Sequence, residues 1–202
     1  MMPPRLVKTE FHCHTCYSKD SLVPIEKLSA TCQKKDIQRL IITDHNTIEG
    51  AMRAQRIDPE RMVVGEEIMT QQGELLAFFV KELIPAGLLA TEAIDLLRSQ
   101  EAFISVSHPF DKLRSGHWEI NNLLTIAPLV DAIEVFNARC MDPKMNTQAA
   151  DFSKEHKLAG TVGSDSHTLR EIGQATLILP EFYDAATLKS ALQVAQPRIR
   201  LS

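Results

Sequence analysis

At 202 residues, 44% of them hydrophobic and 24% charged, the chain has the size and composition of one globular domain with a substantial core. A net charge of −4 excludes broad electrostatic attraction to nucleic acid, and 5% aromatic residues leave little for base stacking. No apolar run reaches membrane-spanning length, and Met1-Met2-Pro3-Pro4-Arg5 lacks the apolar stretch of a secretory signal, so a cytoplasmic location is expected.

Taken in order, Leu6 to His14 reads as a strand leaving the core. Its last residues, Phe11-His12-Cys13-His14, put two imidazoles on one face, because side chains alternate along an extended chain. Thr15 to Ser21 is a polar loop containing Asp20, and Pro24 opens a helix to about Lys35. Arg39 to Thr43 is a strand buried on both faces, ending in Asp44-His45-Asn46. A helix follows from Thr47 towards Arg56, with Asn46 as its N-cap. Arg61 to Val64 is a short strand ending in Gly65-Glu66-Glu67. After a Gln-Gln-Gly turn, Glu74 to Val80 pairs back with it as a hairpin.

Thr91 caps a helix from Glu92 to Gln100, and Phe103 to Ser107 is a strand ending at His108-Pro109. Residues 113–122 read as loop, containing His117 and the single tryptophan, Trp118, before a short helix near Leu123 to Ile126. The strand Ala132 to Phe136 runs into Asn137-Ala138-Arg139, followed by a helix from Pro143 to His156. Leu158 to Val162 is a strand ending at Gly163-Ser164-Asp165-Ser166-His167. The strand Ala175 to Leu179 and a helix from Ala185 to Ala195 complete the pattern. Strands alternating with helices argue for a parallel α/β sheet, open or closed into a barrel.

The four cysteines, Cys13, Cys16, Cys32 and Cys140, offer no second Cys-x-x-Cys and read as reduced thiols. The histidines are not scattered. Five of seven fall just past the ends of expected strands, together with Asp20, Asp44, Glu67, Glu134 and Asp165. That edge is where α/β proteins build their sites. Imidazoles mixed with carboxylates suit Zn, Mn or Fe, and they outnumber what one four-coordinate ion can use, so two or three ions are expected.

The ordered set His12-x-His14, Asp20, Thr43-Asp44-His45-Asn46, Gly65-x-Glu67, His108-Pro109 and Gly163-Ser164-Asp165-x-His167 resembles the PHP (polymerase and histidinol phosphatase) superfamily over nearly the whole chain. The resemblance implies a single domain folded as a distorted (β/α)7 TIM-like barrel. It also implies hydrolysis of a phosphomonoester or phosphodiester by a metal-bridged hydroxide. Carried over by position, His12, His14, Glu67 and Asp165 would hold one ion and Asp20, His45 and His167 a second. Glu67 and His108 would contribute to a third. Some relatives have one further histidine for the third ion. Here that region offers Glu134, Asn137 or Cys140.

Phosphoryl oxygens beyond the ions' reach call for cations, and Arg139, Arg114, Arg170 and Lys112 are the candidates, Arg139 first. His167, Asp44 or a water is left to protonate the leaving group. The acidic net charge favours a small phosphorylated metabolite or nucleotide as substrate. The alternatives are a 3′–5′ exonuclease on oligonucleotides, a non-catalytic metal-binding module, and an amidohydrolase acting on C–N bonds.

Overall fold

The computed structural model describes residues 4–200, so the expectation drawn from Met1, Met2 and Pro3 lies outside it. The strands and α-helices follow in this order: β1 (Leu6–Glu10), α1 (Leu28–Lys34), β2 (Arg39–Ile42), α2 (Glu49–Ile57), β3 (Met62–Met69), β4 (Glu74–Phe78), α3 (Ala90–Ser99), β5 (Phe103–Val106), α4 (Ile120–Ile126), β6 (Ala132–Asn137), α5 (Pro143–His156), β7 (Ala159–Gly163), β8 (Ala175–Pro180), α6 (Ala185–Leu192) and β9 (Gln196–Ile199). Among the described residues no helix is long and apolar enough to cross a membrane.

All nine strands belong to one sheet, ordered β7-β6-β5-β4-β3-β2-β1-β8-β9, which curls into a nearly closed, distorted barrel. Neighbours pair in parallel from β1 to β3 and from β5 to β7. Three strands break the all-parallel expectation. β4 runs against both β3 and β5, β8 runs against β1, and β9 runs against β8. The seam closes where the chain just past β1 meets the chain just past β7. There His14 N donates to Ser166 O at 2.9 Å and Ser166 N donates to His12 O at 3.3 Å.

Strand alternation divides the core in two. Val7, Ile41, Val63, Leu76, Phe78 and Phe103 point into the barrel, where they meet Phe11, Phe182 and, from α6, Leu188 and Leu192. Thus α6 plugs one mouth with apolar side chains. The intervening strand residues, such as Leu40, Ile42 and Ile104, face outward onto Ala51, Ile94, Leu97 and Phe152 of the surrounding helices. This two-sided burial is why β2 reads as an uninterrupted Leu-Ile-Ile run.

Several boundaries differ from expectation for local reasons. β1 ends at Glu10, and His12 and His14 lie past it, held by the seam. β3 continues through Gly65-Glu66-Glu67 to Met69, because β4 pairs with it from Gly65↔Phe78 to Met69↔Glu74. Asn46 does not cap α2. It takes a left-handed φ of 54°, and its side chain accepts from Met69 N at 2.8 Å. Thr91 lies inside α3, where the side chain of Glu92 accepts from Leu89 N at 3.0 Å. The Pro24 helix begins as a 3-10 turn, Ile25–Lys27. α5 runs over the expected residues, capped by Asp142, whose side chain accepts from Lys144 N at 2.9 Å. β9, Gln-Pro-Arg-Ile, was not expected. It is exposed throughout and carries no apolar alternation to betray it.

The barrel interior turns on its phenylalanines: Phe78 lies 5.6 Å from both Phe11 and Phe103, with the Phe103 ring tilted by only 6°. Phe78→Ala should therefore cost about 3–5 kcal/mol of stability. Urea denaturation checks this, and a loss below about 1 kcal/mol would show that the barrel interior is not the cohesive core.

Candidate metal centre

The mouth opposite α6 is lined with imidazoles and carboxylates, each placed by a strand end. The seam brings His12 and His14 beside Asp165 and His167. His45 follows β2, Glu67 lies within β3, His108 follows β5, and Glu74 opens β4. Every one of these except His45 is buried. At the centre, His12 Nε2 and His14 Nε2 stand 3.0 Å apart. Glu67 reaches both, at 3.4 and 3.3 Å, and Asp165 Oδ1 reaches both, at 3.6 and 3.2 Å.

Around this centre the cluster extends in two directions. Asp20 Oδ2 lies 3.6 Å from His45 Nε2 and 3.2 Å from His167 Nε2. The His14 ring sits between these two imidazoles, with centroids 4.4 Å from His45 and 4.3 Å from His167. On the other side, Glu67 Oε1 lies 3.1 Å from His108 Nε2, and Glu67 Oε2 lies 3.0 Å from His45 Nδ1. Four triads have donor atoms all within 4.8 Å of one another: His12-His14-Asp165, His14-His45-His167, His12-Glu67-His108 and His45-Glu67-Glu74. Glu67 touches both wings, as a bridging carboxylate must. Its neighbour Glu66 points the other way and accepts from Ile84 N at 3.1 Å.

The imidazoles are oriented from behind. His167 Nδ1 lies 2.8 Å from Asp165 O, and a carbonyl only accepts, so that nitrogen carries the proton. His12 Nδ1 faces the carboxylate Glu134 Oε1 at 3.0 Å. His14 Nδ1 faces Ser18 Oγ at 3.2 Å, and Ser18 in turn donates to Asp44 Oδ1 at 2.7 Å. In all three rings Nδ1–H is held by an acceptor and the lone pair of Nε2 points into the cluster. This is the arrangement that outer partners impose on metal-binding histidines. With the protons assigned this way, two Nε2 lone pairs face one another at 3.0 Å, which calls for a cation between them: a metal ion or, without one, a proton taken up by His12. Glu67 Oε2 and Asp165 Oδ1, both buried, have no hydrogen-bond partner, because the close imidazole nitrogens lack hydrogen-bond geometry towards them. The nitrogen and oxygen donor set therefore fits divalent ions of the Zn, Mn or Fe kind.

Electrostatics agrees with this geometry. Burial pushes the Glu67 and Asp165 carboxyls up, but the positive charge of His12 and the closeness of the other imidazoles hold both well below the ordinary carboxylate range. Burial lowers His12, yet Glu67, Asp165 and Glu134 together hold its pKa well above the usual value. The same contest raises His45 to about 9, with Glu67 as its main partner, whereas burial wins at His14 and lowers it. Glu74 is raised to about 7 by burial and by the charge of Glu67.

The remaining expected residues are placed as follows. Glu134, expected among the donors, stands behind His12, and its other oxygen accepts from His108 N at 2.9 Å and Asn137 Nδ2 at 3.0 Å. Asp44 faces away from the cluster. It binds Thr15 N at 2.6 Å, Thr15 Oγ1 at 2.7 Å and Ser18, and so fixes the loop beside His14. Arg114 reaches the centre, donating from Nη2 to Asp165 Oδ2 at 2.6 Å and from Nε to Asp111 Oδ2 at 3.2 Å. Arg139 and Lys112 are exposed, and neither makes an ion pair among the described residues. Arg170 does not lie at this mouth. Its loop turns outward, and it lines a surface depression with Lys8, Lys34 and Arg200. Cys13, in the outer core, takes no part. Trp118 is packed, its Nε1 donating to Glu74 O at 3.0 Å.

Reading the sequence missed Glu74 and Glu10. Glu74 opens an antiparallel strand, so its first residue, not its last, lies at the site edge. Glu10 is a hidden fastener across the seam. Its Oε1 accepts from His12 N at 3.3 Å and Ser164 N at 2.9 Å, and its Oε2 accepts from Gly173 N at 3.0 Å and from Ser164 Oγ. No motif marks Glu10. A carboxylate next to an apolar strand end was the only signal.

Residues 10–94 match the family model described as PHP domain, and residues 143–196 match the model described as PHP-associated. The uncharacterized protein MJ0417 of Methanocaldococcus jannaschii is 35% identical over 178 residues, covering 87% of this chain and 71% of its own length. Among solved structures, a two-domain protein from Bacteroides vulgatus, described as containing a predicted PHP-like metal-dependent phosphoesterase, superposes with a TM-score of 0.78 at 16% identity. That match covers 98% of this chain and 66% of the Bacteroides protein. The lesion-specific endonuclease EndoQ of Pyrococcus furiosus superposes with a TM-score of 0.64 at 13% identity, over 96% of this chain and 58% of its own. At such identities the two structures share the fold with this chain, and the chain spans less than two thirds of either.

The close fit around His12 generates a test. A Cβ at Gly163 would overlap both Glu134 Oε1 and His12 Cβ. Gly163→Ala should displace His12 and lower the metal content of purified protein at least twofold, as read by elemental analysis. Full metal content in that variant would show that Glu134 and His12 are not held as described.

Proposed function

The chain belongs to the PHP domain family, and on that premise we propose that it is a metal-dependent phosphoesterase acting on a small phosphorylated metabolite or nucleotide. The observation that carries the proposal is the convergence of the His12 and His14 Nε2 atoms, each ring fixed from behind at Nδ1, on the paired carboxylates Glu67 and Asp165. His12, His14, Glu67 and Asp165 would hold one ion, His45, His167 and Asp20 a second, and Glu67, His108 and Glu74 offer donors for a third. Bound ions would lower the pKa of a water to make a nucleophile near neutral pH and neutralise the phosphoryl oxygens.

The chain's own residues supply the rest. Arg114 sits at the rim with its guanidinium already aligned by Asp165 and Asp111 and its side chain 24% exposed, so it is placed to fork onto a phosphate oxygen. It takes precedence over Arg139, which has no such alignment. Asp44 acts as a positioning residue, because both its oxygens are spent on Thr15 and Ser18. Asp20, with a side chain 58% exposed, and the partly exposed His45 form the accessible lip of the cluster, with the buried His167 just beneath. The leaving group would depart past this lip, where a water would protonate it.

Two measurements test the proposal. Phosphoester turnover should disappear on chelation and return with Zn, Mn or Fe. Glu67→Gln should lower kcat by at least 10²-fold, as loss of a metal-bridging carboxylate demands. Absence of hydrolysis across mononucleotides, sugar phosphates and oligonucleotides in fully metallated protein would overturn the reading. Arg114→Ala should raise KM about tenfold with a smaller effect on kcat, and an unchanged KM would remove Arg114 from the phosphate site.

A further inference from the structure

On the outer surface, beside β1, a depression of about 460 Å³ is lined by Lys8, Lys34, Lys35, Arg170 and Arg200, with Asp36 as its one acid among the described residues. It shares no residue with the metal centre. Five cations face one carboxylate here, in a chain whose net charge is −4. Other arginines and lysines of this protein pair with acids: Arg39 with Glu181, Arg61 with Asp58 and Arg98 with Asp131. Among the described residues none of these five makes an ion pair.

Two of the lysines are already ordered by backbone carbonyls. Lys8 Nζ donates to Lys35 O at 2.8 Å, and Lys35 Nζ donates to Arg170 O at 2.7 Å and Ile172 O at 2.6 Å. Carbonyls position an ammonium without cancelling its charge, and each lysine keeps at least one N–H for another acceptor. Burial lowers the pKa of both, aided by Arg200 at Lys8 and by Lys8 and Lys34 at Lys35, and opposed by Asp36 at Lys8 and by the buried Glu10 at both. Among the described residues the one apolar wall is Ile172 and no aromatic ring lines the hollow, so none of them would stack a base or grip an apolar ligand. Its volume suits a small ligand rather than a strand of nucleic acid.

We propose that this depression is a binding site for a small oligophosphate anion, in which half-buried Lys8 and Lys35 form a pre-ordered floor and Lys34, Arg170 and Arg200 form a cationic rim. A ligand with two or more linked phosphates can meet floor and rim together, which a single orthophosphate cannot. Pre-ordering the floor removes part of the side-chain entropy that binding would otherwise cost.

Inorganic triphosphate is the probe, titrated calorimetrically into zinc-loaded protein with zinc in modest excess. Lys34→Glu combined with Arg200→Glu should weaken its binding at least tenfold. Lys81→Glu combined with Lys154→Glu changes the net charge equally at distant exposed sites, and should weaken binding less than twofold. Orthophosphate should bind at least tenfold more weakly than triphosphate. Equal weakening in the two double variants would reduce the effect to overall charge and overturn the proposal. So would no weakening in either, since binding would then lie at the metal centre, and so would an absence of triphosphate binding to the unaltered protein. Phosphoester turnover in the Lys34→Glu/Arg200→Glu protein should match that of the unaltered chain, which verifies its fold independently of the site.

Discussion

The structure depends on the seam between the chain past β1 and the chain past β7, and on the buried carboxylate of Glu10 that fastens it. A barrel of this kind has to close on itself, and here two backbone hydrogen bonds between residues 12–14 and Ser166 do so at the working mouth. Glu10 binds the backbone of His12, Ser164 and Gly173 from one side chain. Burial raises its pKa and the three amides with the Ser164 hydroxyl pull it down, leaving it at about 7. The seam therefore does two things with one set of bonds. It completes the sheet, and it brings His12 and His14 from one end of the chain against Asp165 and His167 from the other.

The antiparallel β4 has a comparable double effect. It extends β3 by pairing through Glu67, which holds that carboxylate on a rigid strand and not on a loop. Its reversed direction also brings Glu74 to the same mouth. A site assembled on strands is more precisely held than one on loops, and the tight Gly65, against Ala77 O and Ile41, shows how little room this corner leaves. The Trp118 indole, bonded to Glu74 O and stacked over Gly73, then pins the loop that carries Arg114. Sheet pairing, loop anchoring and the position of one arginine are thus a single connected arrangement.

This explains what was legible in the sequence. Alternation and strand-end clustering identified the barrel elements and brought out His12, His14, His45, His108, Asp165 and His167, because each obeys the rule that sites form past the ends of parallel strands, and Glu67, which sits where β3 leaves its parallel pairing with β2. Residues escaping that rule escaped the reading. Glu74 sits at the beginning of a reversed strand. Glu10 faces the seam and has no motif around it. Glu134 shows the complementary case: it lies on a strand at the same edge, one step behind His12, and sequence position does not separate a donor from the group that orients it. Arg170 was misplaced because its loop turns outward along α1, a path set by the hydrogen bonds of Lys35 to its backbone.

The two halves of the barrel obey opposite energetics. The lower half, closed by α6, is filled with Phe11, Phe78, Phe103 and Phe182, and is cohesive through apolar burial alone. The upper half buries His12, His14, Glu67, His108, Glu134 and Asp165 to 2% exposure or less, where hydrocarbon would otherwise be. Unpaired buried charge is expensive, and the opposing pKa shifts of His12 and Glu67 show protons and carboxylates compensating one another in the same space. A cation shared by these donors would take over that compensation, so ion binding at this mouth adds to folding free energy as well as to chemistry. The apolar plug of α6 keeps the fold intact beneath such a site. It follows that the ligand side chains are free to be chosen for the ions, because the lower half carries the cohesion that they cannot.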